Sequence, residues 1–489
     1  MSFPLVLLQP QARNESQDTE LTTIKLTPNA TSNFQSRFVI PVQGDVLDSN
    51  SSLVWRIEWD GYDSTKQTTE IVALKQFSGG LNTIQRARFY IGGREIFSCE
   101  DVGHLVHIKR MSKETDYKEE LLDKTIGSQH GFYVSANGKF RLGKDADPQE
   151  ADKRYARQLG SGNNGIECSL KLSEVFSALE SLQLPMKLDQ MRVEIDWNTD
   201  FDEVATILRE VTATPISDAR KSISIKEPVM LLDYLTYNED LKAGLSMVLK
   251  DGMALPYVHT GISTKTISEN TDSSNDTTSD IQLALQGKLL MKMYVSHRWS
   301  DVVNSADTAY FKLNGRCRSQ RGLDMKYNLF INDLALHDVP VDTSSMAYSY
   351  LELAHQSPVS VIPGGFDYNS TYGTPVANTD IIDGTMTVSG QDSDETIALT
   401  TPIGANSVKD GISGSQSYIG FDLSKYDEGS KVVPANAGYR VGSSPVVLRV
   451  IQKGGLANTP QRAPKTVQVF SEEVKILQVR GGVVDVLDA

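Results

Sequence analysis

The sequence predicts an all-β protein with minor helices, in which one sandwich architecture is used twice in tandem. The first observation is a hairpin. In residues 81–97, Ala87, Phe89 and Ile91 alternate with Arg86, Arg88 and Tyr90, the period of a half-buried strand. Gly92-Gly93 then offers two positive-φ positions for a tight turn, and Arg94–Phe97 start back. The second observation is that the hairpin returns. Residues 323–336 carry another alternating strand, a two-residue turn at Asn332-Asp333 and a short apolar return, and a helical stretch follows each copy.

Three further pairs extend the repeat. Leu53, Trp55, Ile57 and Trp59 match Leu289, Met291, Met293 and Val295; Ile166–Ser173 matches Ile419–Ser424, each ending in Leu-Ser; and Met191–Trp197 is paired with Val474–Val479 as the closing strand. The offsets run 236, 242, 251 and roughly 280 in chain order, as expected for two copies with longer loops in the second.

At 489 residues the chain can hold two sandwiches, each large enough for its own core. Hydrophobic content of 39% and mean hydropathy of −0.29 describe a soluble protein. The apolar run Leu5–Leu8 is too short for a signal or a membrane span, so synthesis and assembly inside a cell are expected. Cys99, Cys168 and Cys317 are an odd, scattered set, which fits a reducing compartment better than a disulfide framework. A net charge of −14 argues against sequence-specific nucleic-acid binding as the main task. The local basic clusters Arg86/Arg88, Arg154/Arg157 and Arg316/Arg318/Arg321 read as solvated strand faces or subunit contacts.

In chain order, residues 1–19 read as an extended arm. Strands are expected at 21–27, 37–42, 53–60 and 68–75 before the hairpin, and helices at Asp101–Met111 and Lys113–Lys124 after it. Phe132–Leu142 holds the hairpin signal Asn137-Gly138, and Pro148–Leu159 reads as a charged surface helix. Ser173 should cap a helix over Glu174–Leu182 that Pro185 ends. The boundary is expected within 199–228, giving an arm at 1–19, a first sandwich at 20–210 and a second at 211–489 that opens with Val229–Leu235. A helix at 239–249 follows, then a polar break at 267–280, strands at 281–296, 308–313 and 325–336, and a helix at 343–355. A Gly/Ser/Thr/Asp-rich insertion occupies about 357–417, with a β-prone run at Thr385–Val388, before strands at 418–424, 445–452, 466–479 and 483–487.

No catalytic, cofactor or metal constellation emerges. His104-x-x-His107 could place two imidazoles on one helix face, but no further ligand stands at a convincing spacing, and a surface helix is the simpler reading. Residues 131–139 only superficially resemble a phosphate loop, because Phe140 stands where Ser or Thr is needed. Asp392 and Asp394 read as solvated loop carboxylates. Trp55, Trp59, Trp197 and Trp299 lie on or beside strands and read as core or interface.

The order of elements resembles the double jelly-roll major capsid proteins of tailless icosahedral double-stranded DNA viruses. The nearest likeness is to those of Polinton-like viruses and virophages, with adenovirus hexon more distant. The resemblance rests on Leu53–Asp60, Ser78–Leu81 with the Arg86–Ile91 hairpin, Leu170–Phe176 with Leu184-Pro185, Tyr327–Asn332, Phe421–Ser424 and the terminal Val474–Val486 hairpin. It implies two tandem eight-stranded jelly-roll β-sandwiches and no catalytic residues or cofactor. It also implies a homotrimer forming pseudo-hexameric capsomers in a virion shell, beside neighbouring capsomers, penton and minor capsid proteins. On that reading 98–165 and 338–417 are equivalent excursions forming an outward tower. The competing class is a β-sandwich carbohydrate-binding or glycan-active protein, which needs an aromatic-lined cleft with paired carboxylates.

Overall fold

A computed structural model describes residues 19–66, 70–74, 79–110, 123–126, 132–134, 140–142, 159–162, 165–181, 184–209, 218–268, 275–299, 325–341, 344–355, 385–389, 394–398, 418–424, 438–452, 465–480 and 483–489. Eight strands make the first sandwich: β1 Thr19–Leu26, β2 Gln35–Ile40, β3 Ser52–Trp59, β4 Ile84–Ile91, β5 Arg94–Glu100, β6 Ile166–Lys171, β7 Met191–Trp197 and β8 Ile223–Tyr237. One sheet has the order β1-β8-β3-β6 and the other β2-β7-β4-β5. Eight more make the second: β9 Met253–Ile267, β10 Thr277–Leu283, β11 Leu289–Trp299, β12 Met325–Ile331, β13 Leu334–Ala335, β14 Ile419–Asp422, β15 Val446–Gln452 and β16 Lys465–Arg480. Their orders, β9-β16-β11-β14 and β10-β15-β12-β13, repeat the first set position by position. This is the jelly-roll topology, twice.

The recurrent hairpins occupy the same place in both units, β4–β5 and β12–β13, joined by two-residue turns. All four turn residues have positive φ: 56° and 80° at Gly92 and Gly93, 52° and 64° at Asn332 and Asp333. That backbone matches the twist of the flanking strands. Alternation in the sequence becomes alternation in burial. Leu53, Trp55, Ile57 and Trp59 point into the core, and the indole N–H groups of Trp55 and Trp197 donate to Thr83 Oγ1 and Ser36 Oγ at 3.1 and 2.9 Å. Arg86 and Arg88 face outward and pair with Asp196 on β7, Arg88 also with Glu194, a cross-strand charge ladder within the sheet. The side chain of Trp299 and the clusters Arg154/Arg157 and Arg316/Arg318/Arg321 lie outside the described residues, as do residues 1–18 of the arm, Asp392, Cys317, the strand at 308–313 and most of 113–124, 148–159 and 357–417. Within the excursions, Phe132–Val134 pairs with Phe140–Leu142, and Thr385–Ser389 with Asp394–Ala398.

Four expectations need correction. The equivalent of Met191–Trp197 is β15, not Val474–Val479, which belongs to β16 and corresponds to β8. Every half-buried strand alternates, so pattern alone does not identify a partner. The first sheet also runs past the expected boundary: Val229–Leu235 pair with β1 and β3, so strand pairing carries the first sandwich to Tyr237 rather than to residue 210. A bulge between Lys226 and Val229, with Glu227 at φ 48°, breaks the period there and hid one long strand. Leu289 and Met291 sit apart from the main second core, which takes Leu290, Met293 and Val295, because the register shifts between Leu290 and Lys292. The expected helix 174–182 is two short turns, Leu172–Val175 and Ser177–Ser181, with Lys171 and not Ser173 at the N-cap. Phe176 breaks it: extended at φ −116°, ψ 104°, it is drawn into the core against Phe89 and Phe97.

Candidate functional site at the seam between the sandwiches

After β5 the chain turns through Asp101, held at φ 52°, into helix α1, Val102–Arg110. The Asp101 carbonyl accepts from the His104 and Leu105 amides, which starts the helix. Lys109 and Arg110 place positive charge at its C-terminal turn, where the helix dipole favours it. Gly103 lets α1 lie against the 79–83 turn, since a Cβ there would sit 2.0 Å from the Leu81 carbonyl oxygen. The other side of α1 meets the second sandwich. His104 and His107 are therefore buried, contrary to the surface helix the sequence suggested.

A hydrogen-bonded chain crosses the seam at His104. Gln468 on β16 donates its side-chain N–H to Asp101 Oδ2 at 2.5 Å, because a carboxylate only accepts. The Gln468 carbonyl oxygen is thereby aimed at His104 Nδ1, 3.3 Å away, and the Tyr418 hydroxyl lies 3.2 Å from His104 Nε2. Nδ1–H therefore donates to Gln468, and the Tyr418 hydroxyl bonds to Nε2. His104 lies edge-on to the rings of Tyr418 and Phe470.

Beside it, Glu472 meets Lys109 at 2.8 Å, and Glu473 meets Lys288, His259 and Lys475 at 2.7, 3.2 and 3.3 Å. Burial would raise the Glu473 carboxyl, but His259 and the two ammonium groups outweigh it and hold it at about 2. Burial likewise opposes ionisation of Glu472, and Lys109 and Lys292 still keep its carboxyl below the usual range. Burial pushes the His259 imidazole down despite its carboxylate neighbour. Neutral bonds complete the seam: Tyr257 Oη donates to the Ile96 carbonyl and Ser177 Oγ to that of Val258, both at 2.9 Å. Phe97 packs against His259.

The arrangement is that of a joint rather than a reaction centre. Among the described residues no three of His, Cys, Asp and Glu converge as a metal site would require. Cys99 and Cys168 are buried thiols, and burial pushes that of Cys99 up, away from the reactive thiolate. Sequence reasoning singled out His104 and His107 but missed Tyr418, Gln468, His259 and the glutamate pair. One signal was available: Glu472-Glu473 interrupts the alternating run 467–479, where two adjacent carboxylates cannot both face solvent unless the strand lies at its rim.

The seam covers one copy of a surface and leaves the other bare. On the outer face of β9 and β16, Gln468 and Phe470 are covered by α1, while Tyr257 and His259, on the opposite face, are covered by β5. The corresponding face of β1 and β8 exposes Leu21 (43%) and Leu231 (36%). On the other side, β5 is covered through Ile96 and Phe97, while its counterpart β13 exposes Leu334 (70%), with Val339 (57%) beyond it.

No family model matches the sequence, and no curated protein does. Solved structures do match along nearly the whole chain. A chain of the PBCV-1 virus capsid superposes with a TM-score of 0.57 at 9% identity, covering 98% of this chain and 99% of that one. The Faustovirus major capsid protein gives 0.55 at 8%, covering 96% and 92%. A chain of the Sputnik virophage gives 0.53 at 12%, covering 98% and 91%. At such identities the likeness is one of fold, and it agrees with the strand order: this chain is a double jelly roll.

Proposed function

We propose that the chain is a structural, non-enzymatic major capsid protein that assembles head to tail as a homotrimer, each trimer a ring of six jelly rolls tiling a virus shell. The observation that carries this is the covered and bare pair of surfaces. Within the chain, β5 and α1 of one sandwich seal the β9–β16 sheet of the next. The same two surfaces remain open at the chain's ends, on β13 and on β1–β8, and a second copy supplies each with its complement. Such a contact is heterologous, and heterologous contacts repeat until they close into a ring or run on as a filament. The capsid identity of the superposing structures supports the closed form.

Jelly rolls also leave sheet edges that need cover, which neighbouring subunits provide. The excursions after β5 and β13 leave from the same topological position, which supports placing both on one outer surface of the capsomer. A glycan-binding role fits less well, because Trp55, Trp59 and Trp197, the aromatics such a cleft would use, are all buried.

Leu231→Asp and Leu334→Asp test the reading. Each should shift the protein from trimer to folded monomer in light scattering, with unchanged circular dichroism. Trimers that persist in both variants would overturn this assignment of the interface.

A further inference from the structure

We infer that the helix Ser344–His355 is the second sandwich's counterpart of α1 and that its outward side docks on β8 of a neighbouring copy. The inference rests on the head-to-tail reading above and names the element that carries that contact. The two helices hold the same place in the repeat, since α1 follows the β4–β5 hairpin and 344–355 follows β12–β13. Each is seated on its own sandwich through a glycine. Gly103 faces the Leu81 carbonyl, and a Cβ on Gly420 of β14 would lie 2.6 Å from the Cβ of Ala354. On the seated side of 344–355, Ala347, Leu351 and Ala354 are fully buried at the i, i+4, i+7 spacing of one helix face, and Tyr350 stacks on His337.

The opposite sides of the two helices differ. Every residue of α1 except Lys109 is buried, because the side turned away from the first sandwich lies on β16, with His104 against Gln468 and Phe470. In 344–355 that side carries Ser349 and Leu353, one turn apart and both exposed, Leu353 at 57%. Leu353 shares its segment with Leu334 and Val339, which are exposed as well, whereas the matching stretch of the first sandwich buries every apolar side chain from Ile96 to Ile108. The occupant follows from the repeat. α1 lies on β16, and the strand of the first sandwich that corresponds to β16 is β8. The outer face of β8 presents Leu231 and, farther along the strand at the bulge, an exposed Glu227 paired to Arg56 at 3.0 Å. A second copy brings Leu353 to that face, with leucine on leucine at the centre and the charged pair at the rim.

Dilution of the full-chain trimer followed by mass photometry, together with hydrogen–deuterium exchange, tests this. Leu353→Asp should leave the circular dichroism unchanged and raise the concentration at which the trimer dissociates about tenfold or more. Leu353→Met should leave that concentration near the wild-type value. In the wild-type trimer, 344–355 and 226–231 should exchange several-fold more slowly than in the Leu334→Asp monomer. Equal exchange of 344–355 in the two would overturn the inference, as would Leu353→Asp trimers that resist dilution as the wild type does. Either result alongside dispersal by Leu231→Asp and Leu334→Asp would leave the trimer reading standing. A wild-type chain that is monomeric throughout would overturn both.

Discussion

At the scale of the residue, the two hairpin turns show how far chemistry can be read directly. Both need two consecutive positive-φ positions. Gly-Gly meets that need by lacking a Cβ, and Asn332-Asp333 meets it with short polar side chains that are held by the distant 442–444 segment. Asn332 Oδ1 accepts from the Gly442 amide at 2.6 Å, and Asp333 Oδ2 from Ser444 Oγ at 2.8 Å. The two glycines are not equivalent, however. A Cβ on Gly92 would meet the Asp189 carboxylate at 2.4 Å, whereas one on Gly93 would meet open space. Gly93→Asn should therefore change stability by less than about 1 kcal/mol. Gly92→Ala should cost about 1–2 kcal/mol for its backbone alone, plus the displacement of Asp189. Thermal denaturation of the two variants checks the order; equal costs would contradict this account of the turn.

At the scale of the element, legibility depended on whether the local pattern survived packing. Strands with unbroken alternation, such as β4, β7 and β15, were visible, as was helix α2, Glu239–Asp251, capped by Asn238 through the Leu241 amide. Elements interrupted by a bulge were misread. Glu227 split β8 into an apparent boundary, and the shift at Leu290–Lys292 turned Met291 out of the main core. The helix expected after Ser173 failed for a tertiary reason, since Phe176 gains more from the aromatic cluster than from continuing a helix. Phe176→Ala should destabilise the fold by about 3–5 kcal/mol, measured by chemical denaturation. A cost under about 1 kcal/mol would show that the cluster does not set the break.

At the scale of the whole molecule, the repeat was legible because both copies must bury the same inner faces, and burial leaves a period in the sequence. The joint between the copies was not legible. A buried histidine on a short helix carries no mark of its partner, and Asp101 and Gln468 stand 367 residues apart. Nor does hydrophobic pattern distinguish a sheet face covered by the same chain, as on β16, from one left open, as on β8. That difference makes the chain read as part of a larger object: each end offers the surface that the other end lacks. Native mass spectrometry of the purified 53.8 kDa chain at neutral pH tests this most directly. The account predicts a dominant species of three chains that persists on dilution; a stable, folded monomer as the only species would contradict it.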